Sequence, residues 1–215
     1  MGIAENIRNI KAFAKSTLVI AVTKNVEIPQ IIEAIEAGIT DIGENRVQEA
    51  KEKFSEIKRR YPDVKWHMIG HLQKNKVKAA LSIFNVIQSV DLFELAEEIN
   101  KRADRIIEVF IEVNTSHEVS KYGVKPEEVL ELTRSISKLE KIKVAGLMTM
   151  GPRSDDSDKI RNCFIKLREL RDMLQCEGFS GIKHLSMGMS DDFPLAIEEG
   201  SDIIRIGRAI FGREG

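Results

Sequence analysis

Short apolar runs rich in Val and Ile alternate with longer stretches of helical period along the whole sequence, and this alternation constrains the chain more than any other feature. It is the pattern of β/α units built on a parallel sheet. An opening helix around Ile7, Ile10 and Phe13 precedes eight expected strands: Leu18–Val22, Asp41–Gly43, Trp66–Gly70, Val86–Val90, Ile107–Val113, Val144–Met150, His184–Met187 and Ile203–Ile206. Between them, apolar residues fall on one helical face: Ile28, Ile31, Ile32 and Ile35; Val47, Ala50, Phe54 and Ile57; Leu92, Leu95, Ala96 and Ile99; Ile160, Cys163, Phe164, Leu167 and Leu174. Each such face can cover a sheet. Gly38, Gly178 and Gly200 stand where a helix C-cap needs a left-handed residue before the next strand. Eight units in 215 residues consume nearly the whole length. The expected fold is therefore α/β, one (β/α)8 TIM barrel with an extra N-terminal helix and a single domain over 1–215; a doubly wound sheet with the same element order is the alternative.

The charge balance narrows the partners. Thirty-three Lys and Arg against 34 Asp and Glu leave a net charge of −1, so no basic field exists to draw in nucleic acid or an anionic membrane. Cys163 and Cys176 would lie about 20 Å apart on one helix, beyond the ~7 Å reach of a disulfide. They read as free thiols. Neither a signal peptide nor a long apolar run is visible, so a cytoplasmic, reducing setting is expected. No His, Cys, Asp and Glu set has metal-ligand spacing, and no metal is expected.

Barrel enzymes and binding proteins build their sites at the C-terminal ends of strands. Lys24 ends the run Leu18-Val19-Ile20-Ala21-Val22-Thr23-Lys24, which places its amine at the barrel mouth, where desolvation favours the neutral form that attacks an aldehyde. A lysine that merely reaches solvent at a strand end would look the same. The segments Ser186-Met187-Gly188-Met189-Ser190-Asp191-Asp192 and Gly207-Arg208-Ala209-Ile210-Phe211-Gly212 follow strands seven and eight. These loops commonly bind phosphate in barrels through glycine-exposed N–H groups and a helix N-terminus. Gly188, Ser190 and Gly207 have that character, but tight turns alone would account for the glycines. Asp191 or Asp192 is expected to cap the helix opened by Pro194. Arg205 is a permanent cation inside an apolar strand and needs a partner there, either a carboxylate on a neighbouring strand or the ring nitrogen of a cofactor. Glu44, Asn45, Arg46, His67, His71, Asn114 and Thr149 are further strand-end polar groups able to line the mouth; packing or solvation is the ordinary role for the two histidines.

Six motifs occur in order: Ala21-Val22-Thr23-Lys24, Gly43-Glu44-Asn45-Arg46, Trp66-His67-Met68-Ile69-Gly70-His71-Leu72-Gln73, Gly146-Leu147-Met148-Thr149-Met150, Ser186-Met187-Gly188-Met189-Ser190 and Arg205-Ile206-Gly207-Arg208-Ala209-Ile210-Phe211-Gly212. With them the chain resembles the pyridoxal phosphate homeostasis proteins over essentially its full length. The resemblance implies a barrel like the N-terminal domain of alanine racemase, with pyridoxal 5'-phosphate (PLP) held as an internal aldimine, a Schiff base on Lys24. It also implies that Ser190, Gly207 and the Arg208 backbone hold the phosphate and that Arg205 faces the pyridine nitrogen. Asn45, Met148 and Ser186 would line the pocket, with Met187 and Gly188 in the same loop. Relatives often carry Ser or Thr where this chain has Arg208, so a hydroxyl contact to phosphate does not carry over there.

The resemblance further implies a protein of vitamin B6 homeostasis without established catalysis, with apo-enzymes that use PLP as recipients; a monomer is expected. Racemisation needs a base on each face of the substrate carbanion. The alternative is a single-domain racemase or lyase that uses Lys24 and a mouth residue such as His67 or Tyr122, with Asn114 to Gly123 binding a substrate carboxylate. A cofactor-free lyase, with Lys24 attacking a sugar-phosphate carbonyl, would explain the same loops but not Arg205.

Overall fold

In a computed structural model that describes residues 2–116, 118 and 121–212, eight parallel strands close into a barrel in chain order. They are β1 (Leu18–Val22), β2 (Asp41–Glu44), β3 (Lys65–Met68), β4 (Val86–Val90), β5 (Ile107–Glu112), β6 (Ile142–Met148), β7 (His184–Ser186) and β8 (Ile203–Ile206). Closure is carried by the pairing of β1 with β8, in which Leu18, Val19, Ile20 and Ala21 face Ile203, Ile204, Arg205 and Ile206. This rules out the open doubly wound sheet.

The helices are α1 (Ile3–Ala14), α2 (Ile28–Glu36), α3 (Val47–Arg60), α4 (Val77–Leu81), α5 (Phe93–Arg102), α6 (Val129–Ile136), α7 (Ser157–Cys176), α8 (Phe193–Glu198) and α9 (Arg208–Phe211). Their ends follow local chemistry. Gln30 Oε1 accepts from the Glu27 N–H at 3.3 Å at the start of α2, and Asp156 caps α7 by accepting from the N–H groups of Asp158 and Lys159 at 3.0 and 3.3 Å. Gly38, Gly178 and Gly200, each one residue past a helix C-cap, take the positive φ that this position favours. Cys163 and Cys176 both lie on α7, one buried and one exposed, and both are free. Leu92 departs from expectation: it precedes α5 as its N-cap and is 54% exposed, so that helix buries Leu95, Ala96 and Ile99 without it. Among the described residues no helix is long and apolar enough to cross a membrane.

Side chains alternate between two cores along each strand. Outward residues such as Val19, Ala21, Ile42 and Leu185 pack against the helices. The barrel interior holds a smaller apolar cluster of Ile20, Val86, Phe110, Ala145, Met148 and Ile203. The rest of the interior is polar: Asp41, His67, Gln88, Glu112, Ser186 and Arg205 are all buried. An interior of this composition is stable only if each group finds a partner.

Candidate functional site

Lys24 sits two residues beyond β1, half-buried, on a turn pinned from three sides. Thr23 donates its N–H to Gly43 O at 3.0 Å and its hydroxyl to Glu44 Oε1 at 2.6 Å. From α3, Lys53 Nζ donates to Thr23 O at 2.6 Å and to Glu44 Oε1 at 2.8 Å, and Glu49 Oε2 accepts the Asn25 N–H at 3.3 Å. Asn25 has φ 55°, a left-handed conformation that asparagine tolerates better than most residues. The chain therefore turns sharply after the strand and leaves Lys24 on the rim of a cavity of about 680 Å³ at the C-terminal end of the barrel.

The same cavity is lined by Ser190 and Asp191 from the loop after β7 and by Arg205, Gly207 and Arg208 from β8 and the loop after it. Gly188 lets the two loops meet. Its φ is +98°, a Cβ there would come within 2.6 Å of Ala196 Cβ, and its carbonyl accepts the Arg205 N–H at 2.9 Å. Ser190 Oγ accepts the Ala209 N–H at 3.2 Å. The Arg208 N–H opens the first turn of α9, where no helical carbonyl is available to it. The exposed Arg208 guanidinium pairs with Asp191 across the loops. Asp192 stands at the N-cap of α8, but its carboxylate turns back to accept the Met189 N–H at 2.6 Å, so the expected side-chain cap is absent.

Arg205 is 4% exposed and donates to two neutral groups, Ser186 Oγ at 2.7 Å and the Thr149 carbonyl at 2.8 Å. Neutral acceptors thus stand in place of the neighbouring-strand carboxylate, one of the two partners that the sequence leaves open. Burial pushes the guanidinium down to about 10, and the charges of Glu112 and Asp192 oppose that shift. It remains a cation at neutral pH.

Lys24, Ser190, Arg205, Gly207 and Arg208 are thus brought together. Ser186 and Met148 are fully buried in the barrel interior, while the Met187 side chain belongs to the layer between sheet and helices. Asn45 is half-buried after β2, its carbonyl against Gly70, where a Cβ would meet it at 2.4 Å. Of the other strand-end groups, Glu44 is buried under Lys53, Arg46 is exposed at the start of α3, and Thr149 donates to Val113 O at 2.7 Å. Asn114 donates to Glu118 O at 2.9 Å. His67 is buried between Asp41 and Gln88, and Tyr122 stacks on His71 with ring centroids 4.1 Å apart. Neither expected second base lines the cavity. The Asn114–Gly123 segment falls partly outside the described residues, at His117, Val119 and Ser120.

Glu112, also interior, is a group that strand-end reading missed. Burial, with the charge of Asp91 adding to it, pushes its carboxyl from the ordinary 4.5 to about 7, and Arg205 limits the rise. A carboxyl raised in the folded state contributes stability that is present below the unfolded value and lost as pH climbs through the folded one. Over that window, at about 1.4 kcal/mol per pH unit, the loss reaches up to about 3 kcal/mol. Glu112→Gln is therefore expected to raise Tm more at pH 8 than at pH 5. An equal shift at both would mean that Glu112 does not titrate in this range.

A closed barrel with a lysine after its first strand and anion-ready loops after its last two defines the alanine racemase-like barrels, and the profile described as "Alanine racemase, N-terminal domain" matches residues 2–214. The alanine racemase of Corynebacterium glutamicum superposes with a TM-score of 0.82 at 16% identity, covering 99% of this chain and 61% of that one, which establishes the fold. The "Pyridoxal phosphate homeostasis protein" of Aquifex aeolicus is 46% identical over 188 residues, 86% of this chain and 82% of its own. PipY of Synechococcus elongatus, solved with PLP bound, has a TM-score of 0.91 at 34% identity over 98% of this chain and 100% of its own. The chain belongs to the pyridoxal phosphate homeostasis protein family.

Proposed function

We propose that this chain holds PLP covalently on Lys24 in the cavity at the barrel mouth and serves vitamin B6 homeostasis as a carrier. The observation that carries this reading is the convergence of Lys24, Arg205, Ser190, Gly207 and Arg208 on one cavity. The donor set fits a phosphorylated pyridine aldehyde. Lys24 would hold the aldehyde as a Schiff base, its amine nitrogen replacing the carbonyl oxygen, which leaves as water. The Ser190 hydroxyl, Gly207 and the Arg208 N–H offer neutral donors to the phosphate, and Arg208 can exchange Asp191 for it. Arg205, a cation that gives up no proton at neutral pH, would face the ring nitrogen and keep it unprotonated. Such a nitrogen makes bound PLP a weaker electron sink than one facing a carboxylate. Asn45, Met148, Ser186, Met187 and Gly188 shape the surroundings, with Ser186 acting through Arg205.

A carrier is favoured over a racemase because none of the described residues lining the cavity is a histidine, tyrosine or cysteine able to serve as a second base. The open rim at Lys24 suits release to an apo-enzyme, and the chain acts without nucleic acid or membrane, as a monomer in the cytoplasm.

The test is to add PLP, record the visible spectrum, reduce with borohydride and locate the modified residue by peptide mass. A single adduct on Lys24 is expected, with no deuterium entering Cα of added amino acids in heavy water. Adducts scattered over surface lysines would remove the cofactor reading, and deuterium incorporation would replace the carrier with an enzyme.

A further inference from the structure

Five buried side chains from five strands form a line across the barrel interior. Arg205 Nη1 lies 2.7 Å from Ser186 Oγ, which lies 2.6 Å from Gln88 Oε1. Gln88 Nε2 is 3.1 Å from His67 Nδ1, and His67 Nε2 is 2.8 Å from Asp41 Oδ1. All five are at most 5% exposed. With a neutral imidazole between them, the two ends fix every proton on the line. A carboxylate only accepts and a guanidinium only donates. His67 must therefore donate from Nε2 to Asp41; if it is neutral, Nδ1 must accept from the Gln88 amide. That leaves Gln88 Oε1 facing Ser186, whose hydroxyl must donate to it, and the Ser186 lone pair receives Arg205. The far end is closed as well, because Thr40 donates to Asp41 Oδ2 at 2.7 Å.

We propose that Gln88, His67 and Asp41 are positioning residues for the Arg205 guanidinium, joined to it through Ser186 by a one-way line of hydrogen bonds that commits the Ser186 proton to Gln88 and leaves Arg205 as the donor facing the cofactor ring. This rests on the PLP reading above. The charged groups around the line are Glu112 on β5 and Asp192 before α8, which act on Arg205, with Asp91 beside Glu112 and Lys24 lining the same cavity. At the other end Lys65 acts on Asp41. Burial would push the Asp41 carboxyl up, but the bonds from His67 and Thr40 outweigh it and hold it below its ordinary value, consistent with an ionised terminus.

Nitrogen-15 NMR of the histidines, with and without PLP, reads the line directly: His67 is expected as the neutral Nε2–H tautomer. Gln88→Met keeps length but cannot bond, and its PLP affinity by absorbance titration is expected to fall about tenfold or more. Gln88→Glu keeps the acceptor for Ser186, transfers a second proton to His67, and is expected to recover most of that loss. Phe110→Leu, a cavity in the same interior on β5, a strand that gives the line no member, is expected to change affinity by less than about twofold. A His67 protonated at Nδ1 in the unaltered protein, or Gln88→Met binding like wild type, overturns the proposal. Should PLP fail to link to Lys24 at all, the function reading falls, while the tautomer still reports on the line.

Discussion

In Lys24→Ala, the borohydride-stable adduct and the visible band of the PLP-loaded protein are expected to vanish together while the barrel stays folded. Both halves of that expectation come from how the turn is held. The hydrogen bonds that fix it run through Thr23, the main chain of Asn25, and the side chains of Glu44, Glu49 and Lys53. None of these anchoring bonds uses the Lys24 side chain beyond Cβ. The rest of the site stays in place, because Arg205 is fixed by Ser186 and the Thr149 carbonyl, and Ser190 by the start of α9. PLP should therefore still bind reversibly to the variant, with weaker affinity and the spectrum of a free aldehyde, and inorganic phosphate should compete with it. A visible adduct that survives in Lys24→Ala would assign the link to another lysine. An adduct lost together with the fold would show that Lys24 has a structural role that the turn's geometry does not suggest.

The barrel was legible because eight β/α alternations leave few other ways to bury their apolar faces, and each strand was found within about two residues. The short helices were not all visible. Val77-Lys78-Ala79-Ala80-Leu81 is five residues long and offers little more than one turn of periodicity. Leu92 looked like part of an apolar face because periodicity cannot tell a cap position from a first turn. At the site, Arg205 stood out as a cation in an apolar strand, but a sequence cannot say which acceptors sit across the barrel. That depends on the closed register, in which Ile20 faces Arg205, His67 faces Val86, and Ser186 faces Ile203. Gln88 and Asp41 carried the same signal as Arg205, a polar residue on a buried strand. For His67 the sequence leaves packing, solvation and a base open, and the structure buries it; its two partners, 26 and 21 positions away, are not legible from the sequence.

Lys53 was still less visible, since within Glu49-Ala50-Lys51-Glu52-Lys53-Phe54 it reads as one more solvated charge on a helix. In the structure its side chain is 12% exposed and that of its partner Glu44 is fully buried. Burial raises the Glu44 carboxyl, although the bonds from Lys53 and Thr23 oppose the rise. One oxygen of that carboxylate, Oε1, takes both Lys53 and Thr23, and the other has no hydrogen-bond partner among the described residues. Lys53→Met leaves a buried carboxylate without its counter-charge, a change that costs about 3–5 kcal/mol. Glu44 then escapes most of that cost by taking a proton, so its folded value rises further. The lost stability should be small near pH 5 and grow as pH rises, since a raised carboxyl contributes most below its unfolded value. Adding Glu44→Gln to Lys53→Met removes the stranded charge and should recover most of the loss at pH 8, which a purely steric effect of methionine would not allow. Because Lys53 also holds the Thr23 carbonyl one residue before Lys24, the single variant should release PLP faster even at a pH where it is fully folded. A variant that loses stability equally at both pH values, and that the second substitution does not rescue, would show that the pair's charge is not what fixes this turn.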